Sequence, residues 1–332
     1  MNLYDEKKLA RLLEVQKVKG WDLERDINWS RGIDLKKPLL PLDNNAILFP
    51  NASSEQRLVI SQMMGLIVAS TISQLEDIAN RLKVPTWERI LDKYPVNPEM
   101  VELGEHFYAD EIKHSKAFNR YIDLFAKEVN VTPEQLKEFL PSSRNSLLGG
   151  IYKLNSMAGG MALWWLIAAV EEESILFFEY IRNVKGEVDP LYYELHKCHY
   201  EEELRHKSYA SLMLQLNHDF SKVPARVIWQ KIDFIIAEIL NISWTFNQLF
   251  KVKNIKKLAK HHEFFRILDG LSETLEGHNS LGTLHTLFTS APYISDTLNL
   301  SEHQNLKLLM EKYGAYSVPN LGQNIGGLHC TP

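Results

Sequence analysis

Four long segments of the sequence carry the signals of α-helices, and each of them contains glutamate. They cover about residues 53–82, 97–127, 146–182 and 189–215. The residues at Ser53–Gln56 and at Asn97–Pro98 are typical of helix starts. A carboxylate within an apolar helix is costly to bury unless it is paired, protonated or bound to a metal ion. The four segments therefore favour a bundle of helices around a polar centre.

The rest of the chain shows no sign of β-structure or of a repeat. No run of short alternating strands between turn signals occurs, and no short period recurs. We predict an all-α protein in which residues 1–332 form a single domain. Its parts are an extended N-terminal arm (1–52), a helix bundle (53–215), additional helices (216–316) and a C-terminal tail (317–332).

Charge, cysteine content and hydropathy exclude several kinds of partner. The formal net charge of -5 argues against nucleic acid or an anionic membrane. Only Cys198 and Cys330 are present, so neither a disulfide framework nor a thiolate metal site is expected. The apolar window from Met157 to Val170 is too short to span a membrane and runs into three glutamates. We expect a soluble cytoplasmic protein.

Two Glu-x-x-His motifs lie within the predicted helices. Glu111 and His114 form one, and Glu203 and His206 form the other. In the second helix His199 lies one turn before Glu203, so steps of four and three residues put His199, Glu203 and His206 on one face. Each motif alone is a weak signal, because exposed polar helix faces often contain such pairs.

The two remaining helices supply further acids. Glu76 follows an apolar run in the first helix, and Glu171, Glu172 and Glu173 interrupt another in the third. Local periodicity does not choose among these three. Carboxylates from two helices with a Glu-x-x-His motif from each of two others are typical of a dinuclear carboxylate site. Four carboxylates offset the charge of two neighbouring cations, and imidazoles complete the coordination.

The order of these residues resembles the signature of the diiron N-oxygenases of the p-aminobenzoate N-oxygenase (AurF-like) type. The resemblance covers about residues 55–215. Its most specific feature is the additional histidine one turn before the last glutamate, which ordinary ferritins lack. The separation of 27 residues before His199 also resembles the family's, and this spacing selects Glu172 from its neighbours. The implied metal ligands are Glu76, Glu111, His114, Glu172, His199, Glu203 and His206.

The resemblance implies a ferritin-like four-helix bundle core that binds two iron ions. It implies that O2 reacts there through a peroxo-diiron intermediate to oxidise an amine to a hydroxylamine or a nitro product, as in secondary metabolism. No catalytic residue beyond the metal ligands is implied, and manganese remains an alternative metal. No G-x-G-x-x-G fingerprint is found, so electrons must come from an external donor or reductase. We also expect a homodimer.

Two other functions remain open at this stage. The same centre could hydroxylate or desaturate an aliphatic substrate, and a ferritin-like protein could oxidise and store iron. The storage function fits less well, because the third histidine fills a coordination position that iron transit would need.

The substrate pocket is expected to be apolar. No Lys or Arg lies between Arg57 and Arg81, or between Lys153 and Arg182, so a benzoate-type substrate finds no cation on these helices. The expected lining residues are Ala69, Ile72, Met161, Trp165 and Ala168. Three polar residues close to the motifs have a simple structural explanation and a role at the site as the alternative. They are Tyr108, Asp110 and His196. Packing explains the first, which could also bond a ligand residue; the second is either exposed to solvent or in contact with a ligand residue; the third could compete with His199 as a ligand.

Overall fold

The computed structural model describes residues 6–42, 52–94, 96–138, 140, 150, 161–220, 228–240, 262–268 and 303–313. All regular structure in these residues is helical, which confirms the prediction of an all-α fold. The α-helices are α1 (Glu6–Lys19), α2 (Ser54–Arg81), α3 (Arg89–Lys93), α4 (Pro98–Glu128), α5 (Pro133–Lys137), α6 (Ala162–Arg182), α7 (Pro190–Phe220), α8 (228–240) and α9 (Gln304–Tyr313). Short 3-10 turns form at Trp29–Arg31 and Phe264–Leu268, and a π turn forms at Val84–Glu88.

Helices α2, α4, α6 and α7 form the four-helix core. Helix α2 packs along α4, and α6 packs along α7, in each case as an antiparallel pair. The direction of the first pair follows from its contacts, since Ser73 meets Ser115 while the later residue Lys83 meets the earlier residue Glu105. Helices α4 and α7 then join the two pairs side by side. This arrangement is the expected ferritin-like bundle.

The ends of the core helices follow from local capping. Ser53 and Gln56 form a reciprocal capping box before α2, and the Asn97 side chain accepts a hydrogen bond from the backbone N–H of Glu99 at the start of α4. Asp189 accepts hydrogen bonds from the backbone N–H groups of Tyr192 and Asp34. These helix starts match the sequence prediction. The predicted beginning of the third helix, with Gly159 and Gly160, lies outside the described residues.

Two hydrophobic clusters fill the bundle, one towards each end. The first includes Leu66, Phe118 and Leu195, and the second includes Trp87 and Trp164. In each of the four core helices, the described glutamates and histidines of the motifs lie between a stretch from one cluster and a stretch from the other. The polar centre is therefore enclosed by apolar packing from both ends of the bundle.

The N-terminal arm contains a helix that the sequence analysis did not predict. Helix α1 buries Leu9, Leu13 and Gln16 on one face and packs against α4. The residues after α1 continue over the bundle with little regular structure. Leu39 and Leu40 are fully covered, and the Ser61 hydroxyl of α2 donates to the Leu40 carbonyl at 2.6 Å. The arm therefore covers the bundle, although its first part is helical rather than extended.

Helix α2 is the one helix of the described residues that is long and apolar enough to cross a membrane. Within its most apolar window, 61% is buried inside the protein. It also carries Glu76, whose side chain is buried in the bundle. These features are typical of a core helix.

The predicted additional helices are seen in part. Helix α8 lies within the range 216–316 that was predicted to hold additional helices, and its Gln230 accepts a hydrogen bond from the Trp165 indole of α6 at 2.8 Å. Later in the same range, the structure describes the 3-10 turn Phe264–Leu268. Helix α9 follows later and contacts α6. The predicted tail, 317–332, lies outside the described residues.

Candidate metal centre

Six of the predicted ligands meet at the middle of the bundle. Helix α2 provides Glu76, α4 provides Glu111 and His114, and α7 provides the remaining three. Their relative exposures do not exceed 5%. The complete group is Glu76, Glu111, His114, His199, Glu203 and His206. Such carboxylates and imidazoles are rarely buried together unless hydrogen bonds or a cation compensate their charge.

The six residues form two overlapping sets of four. One set is Glu76, His114, His199 and Glu203, and the other is Glu111, His114, Glu203 and His206. In each set the four candidate ligand atoms lie within 4.8 Å of one another. His114 and Glu203 belong to both sets. Glu203 has an oxygen atom for each of two ions, whereas the inward Nδ1 atom of His114 has one lone pair and could bind one ion.

The first set is held together around His199. Its Nε2 atom lies 2.9 Å from Glu76 Oε1 and 2.8 Å from Glu203 Oε1. The Nδ1 atom of His114 completes the group at 3.3 Å from Glu203 Oε1 and 3.6 Å from Glu76 Oε1. The histidine that the resemblance singled out therefore points into the cluster.

The second set centres on His206. Its Nδ1 atom lies 2.9 Å from Glu111 Oε1 and 3.5 Å from Glu203 Oε2. A further carboxylate oxygen, Glu171 Oε2, lies 3.8 Å from the same nitrogen. Glu203 thus turns one oxygen to each set, as a carboxylate that bridges two ions does.

Several atoms that face the centre make no hydrogen bond. They are Glu76 Oε2, Glu111 Oε1, His114 Nδ1, Glu203 Oε2 and His206 Nδ1. Buried polar atoms normally find a partner, so five such atoms in one place require an explanation. His206 Nδ1 and Glu111 Oε1 approach each other without the alignment of a hydrogen bond, as two ligands of one ion would. The donor set therefore fits a pair of metal ions.

Burial and the neighbouring charges shift the pKa values of these groups in both directions. Burial raises the pKa of Glu76 and of Glu111. Burial alone would lower the pKa of His114 and of His206, but the surrounding carboxylates raise both. Burial, together with positive charge on His114, lowers the pKa of His199. Burial alone would raise the pKa of Glu203, but the neighbouring His206 and His114 lower it. The cluster is therefore a set of strongly coupled acids and bases, and its affinity for metal ions should depend on pH.

Glu172, the seventh predicted ligand, does not reach this centre. Its Oε1 atom accepts a hydrogen bond from the backbone N–H of Asn305 at 2.8 Å, and its Oε2 atom accepts one from that of Leu306 at 3.1 Å. Both donors lie in the first turn of α9, where N–H groups lack partners within the helix. The structure places the preceding residue, Glu171, beside His206 instead. The prediction relied on family spacing, whereas consecutive residues of a helix point about 100° apart.

The three polar neighbours also have defined positions. Tyr108 packs edge-on against Trp87 and Phe107, and His196 lies among aromatic rings including those of Phe118 and Phe177. Neither belongs to the two ligand sets. Asp110, in contrast, is buried and lies 3.5 Å from His206 Nε2.

The sequence analysis missed Glu202, because it lies off the helix face that carries His199, Glu203 and His206. Glu202 is fully buried, and its Oε2 atom lies 2.6 Å from His114 Nε2. The only signal in the sequence was the unusual density of acids around it. Its burial depends on a covering segment from the N-terminal arm. Residues 199–206 themselves contain no information about that segment.

A small cavity adjoins the cluster between α2 and α6. Its volume is about 40 Å³. Its floor includes Glu76, Glu111, Glu171, His199 and Glu203, and most of the other lining side chains are aliphatic. Of the expected pocket residues Ile72 lines it, whereas Ala69, Met161, Trp165 and Ala168 are packed in the hydrophobic clusters.

The fold and the cluster together define a class of protein: a four-helix bundle whose buried carboxylates and histidines could bind two metal ions. A family model, described as P-aminobenzoate N-oxygenase AurF, matches residues 3–253. The chain belongs to this family of diiron oxygenases, and the predicted resemblance is confirmed. The match extends well beyond residues 55–215, on which the resemblance rested. No curated protein matches the chain.

Proposed function

We propose that this protein is an O2-dependent diiron N-oxygenase that converts an amine to a hydroxylamine or a nitro product. The observation that carries the proposal is the pair of overlapping buried ligand sets, with His199 as an additional nitrogen donor. The proposed ligands are Glu76, Glu111, His114, Glu171, His199, Glu203 and His206. Glu171 takes the place that the sequence analysis gave to Glu172.

Two iron ions would supply O2 binding and the transfer of one oxygen atom. In the first step a primary amine, O2, two electrons and two protons give a hydroxylamine and water. The chain holds no flavin or nicotinamide fingerprint, so an external electron donor supplies the electrons. Manganese is the alternative metal, because carboxylate and imidazole ligands do not choose between the two.

The residues of the chain hold the centre and keep it dry. Burial raises the pKa of Glu76 and of Glu111, so their charged forms are disfavoured unless a cation lies beside them. Apolar side chains at both ends of the cluster exclude bulk water, which strengthens the electrostatic interactions inside. The inward nitrogen atoms of the three histidines then complete the set.

The cavity supports a substrate without a negatively charged group. Among the described residues that line it there is neither Lys nor Arg, and Ser174 carries the one hydroxyl group. A carboxylate such as that of p-aminobenzoate would lose its hydration there without gaining a partner. Aliphatic residues of both walls instead suit an apolar substrate body. They include Ile72, Leu75 and Ile78 of α2, and Leu163, Ile167 and Val170 of α6.

The volume of the cavity suits O2 or a few water molecules rather than an aromatic ring. An amine would therefore have to widen the gap between α2 and α6 as it binds. The aliphatic walls suit a hydrocarbon substrate equally well, so C-hydroxylation or desaturation is the second candidate.

The test is a panel of amines given to the Fe²⁺-loaded protein with O2 and a chemical reductant. We expect a product 16 mass units heavier from aniline or p-toluidine, with oxygen on nitrogen, and slower conversion of p-aminobenzoate. Oxygen on carbon, or a desaturated product, would support the second candidate. Uptake of many iron atoms per chain without product would identify iron storage and would contradict oxygenation.

A further inference from the structure

Two carboxylates outside the ligand sets contact the outward nitrogen atoms of the ligand histidines. Glu202 Oε2 lies 2.6 Å from His114 Nε2, and Asp110 Oδ2 lies 3.5 Å from His206 Nε2. The contacts cross between helices, because Glu202 belongs to α7 and His114 to α4, while Asp110 belongs to α4 and His206 to α7. A carboxylate in this position fixes the tautomer and the ring orientation of a metal-binding histidine.

These two carboxylates are in turn held by two cations. The Lys113 ammonium group lies 2.8 Å from Asp110 Oδ1 and 2.7 Å from Glu202 Oε1. Arg205 adds a contact of 3.3 Å from its Nη2 atom to Glu202 Oε1. Both cations belong to the core helices, so this part of the network is internal to α4 and α7.

Helix α1 adds a bridge between the two core helices through Gln16. The Gln16 side-chain amide donates to Asp110 Oδ2 on α4, and its carbonyl oxygen accepts from Arg205 Nε on α7 at 2.6 Å. Gln16 is 5% exposed. An amide can serve an anion and a cation at once, because it offers a donor at one atom and an acceptor at the other.

The residues just after α1 cover the second carboxylate and its histidine. The backbone N–H of Trp21 donates to Glu202 Oε1 at 3.2 Å. The Trp21 ring stacks on the His114 ring, with centroids 5.8 Å apart and planes inclined by 8°. The Lys113 ammonium group lies 4.6 Å from the centroid of the same ring. The arm therefore contacts a ligand histidine directly as well as its carboxylate partner.

We propose that the α1 clamp, meaning Gln16 and Trp21 with the carboxylates they hold, positions His114 and His206 for metal binding. Gln16 is its positioning residue, because it acts on the ions through Asp110 and Arg205. The inference rests on the proposed function, since it requires that the cluster binds metal ions. Its consequence is that the N-terminal arm is part of the metal centre rather than a cover over it.

The experiment compares variants of the full-length protein loaded with Fe²⁺ without oxygen. Gln16→Leu removes both hydrogen bonds at similar volume, and the isosteric Gln16→Glu puts a second carboxylate beside Asp110. The matched control is Lys17→Ala, which removes an exposed ion pair with Glu102 from the next residue of the same helix. Leu13→Ala is the control for packing, because it removes buried apolar contacts of α1 and leaves the hydrogen bonds of Gln16 in place.

We expect both Gln16 variants to release Fe²⁺ to a chelator about 10 to 100 times faster than the wild type. The visible absorption of the Co²⁺-loaded protein should also change, since it reports ligand geometry. Lys17→Ala should behave as the wild type. Leu13→Ala should lower the melting temperature while leaving the absorption bands in place.

Wild-type release rates and spectra in both Gln16 variants would overturn the clamp and leave the proposed function standing. If Leu13→Ala changed the spectrum as much as Gln16→Leu, general packing of α1 would explain the effect, and the clamp would be wrong. A wild-type protein that binds no Fe²⁺ and no Mn²⁺ would contradict the proposed function itself.

Discussion

Glu171 and Glu172 are neighbours in α6 but have different surroundings. Glu171 lines the cavity and approaches His206, while Glu172 accepts two backbone hydrogen bonds at the start of α9. Both side chains are buried, so burial alone does not separate a ligand from a structural residue. The atoms that each carboxylate contacts distinguish the two roles. Glu172 accepts hydrogen bonds from N–H groups that lack partners within their own helix, whereas Glu171 lies beside the ligand cluster.

Substituting these two glutamates in turn should have different effects. Glu171→Gln removes a negatively charged candidate ligand, so we expect fewer bound iron ions per chain and little change in melting temperature without metal. Glu172→Gln weakens the cap of α9, so we expect a loss of about 1 kcal/mol in stability with the iron content preserved. Metal analysis and thermal unfolding would measure both. Loss of iron in Glu172→Gln with retention in Glu171→Gln would restore the assignment made from the spacing.

The core helices could be predicted from the sequence because their starts depend on local chemistry. The caps at Ser53 and Asn97 involve residues within three positions, and the structure has them as predicted. Helix α1 was missed, although Leu9, Leu13 and Gln16 follow a helical spacing, because Pro38 and Pro41 further along favour an extended arm. The surroundings of Glu202 could not be predicted, since the segment that covers it lies about 180 residues earlier in the chain.

The close packing of α4 against the π turn depends on Gly104. A methyl group at this position would overlap the Trp87 ring and the Tyr209 hydroxyl. These two side chains are joined by a hydrogen bond of 2.5 Å from Trp87 Nε1 to Tyr209 Oη, and both are fully buried. The absence of a side chain at Gly104 therefore allows an aromatic cluster to form directly on the helix backbone.

Gly104→Ala should destabilise the protein despite the higher helix propensity of alanine. Overlap in a packed core costs about 1–3 kcal/mol, which outweighs a propensity gain of at most about 1 kcal/mol. Denaturant unfolding of the metal-free protein would measure the difference. The control is Gly186→Ala, because an added methyl group there meets no atom within 4 Å. Equal stability of the two variants would contradict the packing argument.

At the scale of the whole molecule, two apolar clusters enclose a polar layer that crosses all four core helices. The clusters stabilise the bundle by burying apolar surface, while the layer opposes folding unless its charges are compensated. Buried atoms of this layer lack hydrogen bonds. The stability of the entire bundle should therefore depend on what the layer binds.

Metal ions should raise the melting temperature of the protein. Binding to the folded state alone adds about 2.7 kcal/mol when free metal reaches 100 times the dissociation constant. We expect anaerobic Fe²⁺ or Mn²⁺ to raise the melting temperature with increasing concentration, and Mg²⁺ to do so less, because Mg²⁺ prefers oxygen ligands. Glu203→Gln should remove most of the rise, as Glu203 belongs to both ligand sets. A rise that persists in this variant would show that the ions bind elsewhere.

Glu203 turns one carboxylate oxygen to each ligand set, and this sharing has a consequence for how the centre fills. The first ion to arrive binds a carboxylate that the second ion also needs, and its charge repels the second across a short distance. It also orders side chains that the second would otherwise have to organise. The binding of the second ion is therefore thermodynamically coupled to that of the first. The coordination of an ion that is bound alone should differ from its coordination in the filled centre.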